Sequence, residues 1–153
     1  MAASIKPKTQ IRLMQYDDIE EISLIDKDSY IYPWSKGIFR DCLLADYYNQ
    51  VIEIEKTIVG YSVMTINTEG AHILNLCIEK NHRGNGLARR LIYSMIFHTQ
   101  INNKNKIMLE VRVSNIKAIS LYKSLGFYSV GIRQKYYRGI SEREDALLLN
   151  KKI

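Results

Sequence analysis

The sequence predicts a mixed α/β fold, and three observations carry that reading. A strand-like run at residues 73–78 breaks into a glycine-bearing turn, Arg83-Gly84-Asn85-Gly86-Leu87-Ala88, and then into a helix with Leu87, Leu91, Ile92, Met95 and Ile96 on one stripe. A second apolar strand, residues 107–113, alternates with period two through Ile107, Leu109, Val111 and Val113, and a further helix follows it. Earlier, residues 50–55 and 57–67 read as a hairpin across Glu55-Lys56. Strands clustered early and helices interleaved late argue α/β with a mixed sheet.

In chain order, residues 1–9 are polar, with Lys6, Pro7 and Lys8, and read as a flexible lead-in to one domain over residues 10–153. Residues 10–15 follow as a strand. Asp17 or Asp18 can cap a helix carrying Ile19, Ile22 and Ile25, and Ser35 can cap a second with Ile38, Phe39, Cys42 and Leu43 on one face. After the hairpin, residues 71–79 form the strand that ends at the glycine turn. The stripe from Leu87 makes a third helix, closed by a loop at residues 102–105. Beyond residues 107–113, Asn115 is a good N-cap for a fourth helix with Ile119, Tyr122 and Leu125 on one face. Gly126 sits where a left-handed residue would end it. Residues 128–137 and 145–151 read as two late strands.

Composition bounds the function. At 153 residues, 46% hydrophobic and 25% charged, the chain is an ordinary globule with a core of its own. Residues 1–10 lack the apolar segment of a signal peptide, and the stretch from Leu91 to Phe97 is far too short to span a bilayer, so no membrane association is expected. Two cysteines, Cys42 and Cys77, are too few for a disulfide framework, and a reducing cytoplasm is expected. His72, His82 and His98 show no metal-ligand spacing. They read as surface or half-buried histidines, and no metal is expected. The formal charge of +6 comes from scattered basic residues, apart from Arg83, Arg89 and Arg90 and the terminal Lys151-Lys152, so direct nucleic-acid binding is not expected. The sequence leaves oligomeric state open.

The glycine turn is the richest feature. A strand, a glycine turn and a helix N-terminus together make a phosphate pocket, because the first helical N–H groups lack internal acceptors and the helix dipole places roughly half a positive charge there. A P-loop would need four residues between its glycines and a following Gly-Lys-Ser/Thr, and neither is present. A dinucleotide fingerprint would fit Gly84 and Gly86, with Glu110 at a tolerable distance, but Arg89 occupies the third glycine position. The pattern Arg/Gln-x-x-Gly-x-Gly/Ala is met by Arg83, Gly86 and Ala88. It resembles the coenzyme A pyrophosphate motif of the GNAT acetyltransferases. Leu109-Glu110-Val111-Arg112-Val113-Ser114-Asn115, followed by Ala118-Ile119-Ser120-Leu121-Tyr122-Lys123-Ser124-Leu125-Gly126-Phe127, resembles the second half of the same core. The likeness is greatest to the RimI-type N-terminal acetyltransferases. Tyr32-Pro33-Trp34-Ser35 resembles their Pro-Trp-Ser turn, and Tyr136-Tyr137 with Arg143-Glu144-Asp145-Ala146 resembles their C-terminal segment. The match runs from about residue 11 to 149, with Cys77 and Ala88 as departures that would act through the backbone.

The resemblance implies a GNAT fold with about four helices, whose two central parallel strands, here residues 73–78 and 107–113, splay to admit the coenzyme. It implies acetyl-CoA as cosubstrate, with Arg83, Gly84, Asn85, Gly86, Leu87, Ala88 and Arg89 at the pyrophosphate and backbone N–H groups around Leu76, Cys77 and Ile78 at the oxyanion. Asn115 would hold the pantetheine arm or the helix start. Tyr122 is the candidate acid for the leaving thiolate, against the alternative of a core aromatic. Glu110 is the candidate base: strand alternation places it opposite the apolar residues, and partial burial predicts a raised pKa. The alternative is an ion pair to another cation, with Arg112 expected to be a poor partner. Cys77, among apolar neighbours, is not expected to be a nucleophile. Tyr32, Trp34, Tyr136 and Tyr137 would bind the acceptor, although Trp34 could equally be a core anchor. The acceptor would be a protein N-terminus, the N-terminal alanine of a small-subunit ribosomal protein. A small-molecule amine, a lysine side chain, or a non-catalytic ribosome- or coenzyme-binding role are the alternatives.

Overall fold

The computed structural model describes residues 7–153. Its strands are β1 (Thr9–Leu13), β2 (Tyr48–Ile54), β3 (Thr57–Asn67), β4 (Gly70–Ile78), β5 (Lys106–Arg112), β6 (Tyr128–Tyr137) and β7 (Glu144–Lys152). Its helices are α1 (Ile19–Ser29), α2 (Lys36–Leu44), α3 (Leu87–Ile101) and α4 (Ile116–Ser124), with short 3-10 turns at Tyr16–Asp18 and Lys80–His82. The strands form one seven-stranded sheet in the order β1-β2-β3-β4-β5-β7-β6. β1 runs antiparallel to β2, and β7 runs antiparallel to both β5 and β6. β4 and β5 are parallel, in register over Ala71–Ile73 against Ile107–Leu109. The predicted mixed α/β class is the observed one.

Of the lead-in expected at residues 1–9, residues 1–6 lie outside the described residues. By Lys8 the chain is already tied, its N–H donating to Glu55 Oε1 at 2.8 Å while its carbonyl accepts from the Glu55 N–H at 2.9 Å.

Packing divides the chain into two compact units. One holds the residues up to Val63 together with Asn75–Leu91, and the other holds Met64–Leu74 with Ile92–Ile153. In the first, Ile52, Val59, Ile78, Leu87 and Leu91 form a buried cluster against which Ile11, Ile54, Leu76 and Ala88 pack. The β2–β3 turn is Glu55-Lys56, both left-handed (φ 48° and 65°), the two-residue turn whose twist suits a hairpin. Ser35 caps α2 by accepting from the Ile38 N–H at 3.3 Å. That helix buries Phe39 and Cys42, while Ile38 stays exposed. Asp18 stands at the head of α1, but its carboxylate is engaged elsewhere: it takes both Arg12 Nη1 and Nη2 at 2.8 Å and the Gln15 N–H at 2.7 Å.

In the second unit, β5 alternates as its sequence demands. Ile107, Leu109 and Val111 are buried, and Met108, Glu110 and Arg112 share the opposite, half-buried face. α4 turns Tyr122 inward, and Leu125 and Phe127 are buried beside it. Gly126 is left-handed at φ 92°, closing α4 where expected. β5 ends at Arg112 and not at Val113, which is exposed beyond the last β5–β7 pair, Arg112 with Ala146.

Candidate active site

The glycine turn is built as its sequence proposes. β4 ends at Ile78, and Glu79 then caps the Lys80–His82 turn, accepting from the Asn81 N–H at 3.1 Å and pairing with His82 Nδ1 at 2.5 Å. Gly84 and Gly86 are left-handed at φ +80° and +77°, and a Cβ on either would meet no described atom within 4 Å. The glycines are therefore required by backbone conformation, and the space before them is open. α3 begins immediately, its first internal bond running from the Arg90 N–H to the Gly86 carbonyl at 3.1 Å. The N–H groups preceding that bond have no acceptor inside the helix, the arrangement that binds anions. Leu87 points into the core and Ala88 packs against it, so both face a ligand only through backbone.

Arg83 does not spend its guanidinium on open space. Nε donates to the Ile78 carbonyl and Nη2 to Ser29 Oγ, both at 2.9 Å, bracing the turn against β4 and α1. Asn85 braces it from within, Nδ2 donating to the His82 carbonyl at 3.2 Å. On the first helical turn Arg89 is half-buried and Arg90 exposed. On β4, Leu76 is half-buried and its carbonyl accepts from Tyr30 Oη at 3.1 Å. Cys77 and Ile78 are buried, and burial pushes the Cys77 thiol above its ordinary range, which makes it a poor nucleophile.

In the same unit Tyr32 is exposed. Trp34 is half-buried against the core, its ring 5.3 Å from that of Phe39, which in turn meets Tyr61 edge-on at 5.4 Å. Asp26 belongs to no motif legible in the sequence. Asp26, 1% exposed, accepts from the Trp34 N–H at 2.7 Å, from Asn75 Nδ2 at 3.2 Å, and from Tyr61 Oη. A buried carboxylate so surrounded is a hydrogen-bonding hub, and only its one-turn offset from Ile22 on the inward stripe of α1 hints at burial.

In the second unit, Glu110 faces as predicted but does not titrate as predicted. Its Oε2 lies 2.5 Å from His72 Nε2. That contact, outweighing partial burial, holds the Glu110 carboxyl below its ordinary value, and the expectation of a raised pKa is overturned. The cation is not Arg112. Arg112 Nη1 donates to Glu144 Oε1 at 3.1 Å, and its guanidinium lies 4.6 Å from the centre of the Tyr137 ring. His72 pairs with Glu110 because parallel register sets His72 across from Met108, so that Glu110, two residues on along β5, shares its face.

Tyr122 is 7% exposed, its ring 5.4 Å from Phe127, and its hydroxyl has no hydrogen-bond partner among the described residues. Burial, aided by neighbouring Tyr137, raises its pKa. Tyr137 is pushed up to about 12, chiefly by burial and then by the charge of Glu110. Tyr136 is exposed, with its ring 4.9 Å from that of Tyr137. Asn115 holds the helix start, Oδ1 accepting from the Ala118 N–H at 3.3 Å. Among the described residues, no group of His, Cys, Asp and Glu is placed to hold a metal ion, and no helix is long and apolar enough to cross a membrane.

Comparison with known proteins agrees with this geometry. The profile of the Acetyltransferase (GNAT) family matches residues 17–127. A Bacillus subtilis protein named as a candidate ribosomal protein bS18-alanine N-acetyltransferase is 35% identical over 147 residues, covering 95% of this chain and 96% of its own. The Escherichia coli K12 ribosomal protein bS18-alanine N-acetyltransferase is 27% identical over 139 residues, covering 91% and 94%. The crystal structure of the ribosomal-protein-S18-alanine N-acetyltransferase from Escherichia coli superposes with a TM-score of 0.89 at 27% identity, covering 95% of this chain and 94% of that one. With the seven-stranded sheet, its parallel β4–β5 pair and the left-handed glycine turn at the head of α3 already in place, the chain belongs to the GNAT family and is an N-acetyltransferase.

Proposed function

We propose that the protein transfers the acetyl group of acetyl-CoA to the N-terminal α-amine of a protein in the cytoplasm, and that its acceptor is the N-terminal alanine of a small-subunit ribosomal protein. The open left-handed Gly84-Gly86 turn ahead of α3 carries the reading, because it lets a diphosphate come close to backbone at a helix N-terminus, where the helix dipole favours negative charge. The acceptor is the one stated in the names of relatives that match nearly end to end.

In this reading the backbone from Gly84 to Arg89 holds the pyrophosphate, while Arg83 and Asn85 keep the turn in shape. Backbone N–H groups around Leu76, Cys77 and Ile78 meet the oxyanion. Asn115 holds the pantetheine arm as well as the start of α4. Tyr32, Trp34, Tyr136 and Tyr137 receive the acceptor, Trp34 by fixing its loop on the core. Glu110 serves removal of the amine proton, and Tyr122 protonates the departing thiolate.

The chemistry favours an α-amine. With a pKa of about 7.7–8.0, roughly a third of it is neutral near pH 7.5, whereas a lysine amine at about 10.4 is neutral about one time in a thousand. A site whose carboxylate is held ionised by His72 supplies mild assistance, sufficient for the first task and short of the second.

Purified protein incubated with acetyl-CoA and an alanine-starting peptide should acetylate it. The same peptide with a blocked α-amine and a free lysine should remain unmodified by mass spectrometry. Modification of lysine alone would reassign the acceptor to side-chain or small amines.

A further inference from the structure

We propose that His72 is the proton-receiving residue of the acetyl transfer, and that Glu110 acts through it by orienting the imidazole. The inference rests on the proposed acetylation of an α-amine and names the atom that performs its first step. Glu110 Oε2 and His72 Nε2 lie 2.5 Å apart, with 14% and 27% of their side chains exposed. This is the carboxylate–imidazole arrangement in which a carboxylate fixes the tautomer, here with hydrogen on Nε2, and leaves Nδ1 with a lone pair.

Matching of proton affinities separates the two candidates. An α-ammonium near pKa 7.8 would give its proton to a carboxylate below 4.5 only against a disadvantage of more than about a thousandfold. Imidazole as a chemical class stands much closer than a carboxylate to an α-amine in proton affinity. Efficient general bases have pKa values close to the working pH, which favours the imidazole. Arg133 and Tyr137 of β6 also face the carboxylate. Arg133 strengthens the ionised form, and Tyr137 stays neutral at working pH.

Nδ1 of neutral His72 takes a proton from the α-ammonium, directly or through one water. The freed amine nitrogen attacks the thioester carbonyl carbon, and the oxygen gains the electron pair. When the tetrahedral adduct collapses, the C–S bond breaks and the thiolate takes the Tyr122 hydroxyl proton. The second amine proton returns to Tyr122 through water, and the His72 imidazolium releases its proton to solvent.

His72→Gln should lower kcat/KM about a hundredfold near pH 7 with the acetyl-CoA Kd unchanged. The loss should shrink as pH rises past about 8, where the acceptor deprotonates unaided. His72→Ala should regain rate when free imidazole is added. Glu110→Gln should lose less, about tenfold. The His72 ring titration, followed by NMR without substrate, should move to a lower midpoint in Glu110→Gln, because a neighbouring negative charge has gone. Wild-type turnover and pH profile in His72→Gln, or an unmoved His72 midpoint in Glu110→Gln, would overturn the assignment. Because the NMR titration needs neither acetyl-CoA nor acceptor, its failure is distinct from a failure of the acetylation itself.

Discussion

Tyr122 packs on Phe127 from α4, and Glu110 pairs with His72 between β5 and β4. Tyr122 was legible because Ile119, Tyr122 and Leu125 share one face of a nine-residue helix, and the structure buries it there. Since its hydroxyl meets no described partner and its ring packs on Phe127, Tyr122→Phe should leave the melting temperature nearly unchanged while lowering kcat about 10²-fold. An unchanged kcat would remove the phenol from the mechanism. Glu110 was legible as to face, from alternation alone. Its partner was not, because the pairing joins residues 38 positions apart and depends on strand register. Asp18 is a parallel case. It reads as a helix cap, yet Arg12 and the Gln15 N–H engage its carboxylate and hold its pKa below 3.8. The sign follows: a depressed carboxylate adds stability above its unfolded value, and that stability disappears as pH falls through the folded one. Asp18→Asn should therefore cost about 2 kcal/mol at pH 7, measured by urea unfolding, and the gap to the unaltered protein should narrow as pH falls below the ordinary carboxylate range.

At the scale of elements, chain order and nearly every boundary were readable because each is marked by a residue with a local mechanism. Ser35 and Asn115 accept helical N–H groups, Glu55-Lys56 adopt the hairpin conformation, and Gly126 closes α4. Asn115→Ala should cost about 1 kcal/mol of stability through the lost cap. If Asn115 also holds the coenzyme arm, the Kd for acetyl-CoA should rise too, which calorimetry separates from the stability change. The β4–turn–α3 unit is less forgiving. Gly86 at φ +77° has open space before it, so Gly86→Ala brings backbone strain of about 1–2 kcal/mol and no clash within the protein. Acetyl-CoA binding should weaken by tenfold or more as the turn relaxes away from its left-handed form. An unchanged Kd would place the diphosphate elsewhere. The two roles of Trp34 were undecided by sequence because a Pro-Trp-Ser turn fits either. Its ring packs on Phe39, and Asp26 accepts from its backbone N–H, as the structural role requires.

For the molecule as a whole, the formal charge of +6 suits a ligand that carries several phosphate charges. Acetyl-CoA affinity should therefore fall several-fold as ionic strength rises from about 0.05 to 0.5 M, as screening shortens the reach of the exposed arginines. Affinity independent of salt would mean that backbone N–H groups supply the whole of the recognition. The two cysteines have a consequence for the folded chain. Cys42 and Cys77 are both free, both shielded from water, and both less acidic than an ordinary thiol. Iodoacetamide can reach either sulfur only when the chain opens, so the rate of alkylation is an intrinsic clock for native-state breathing. Slower labelling in the presence of coenzyme would weigh how much rigidity the ligand lends to the unit that holds both thiols.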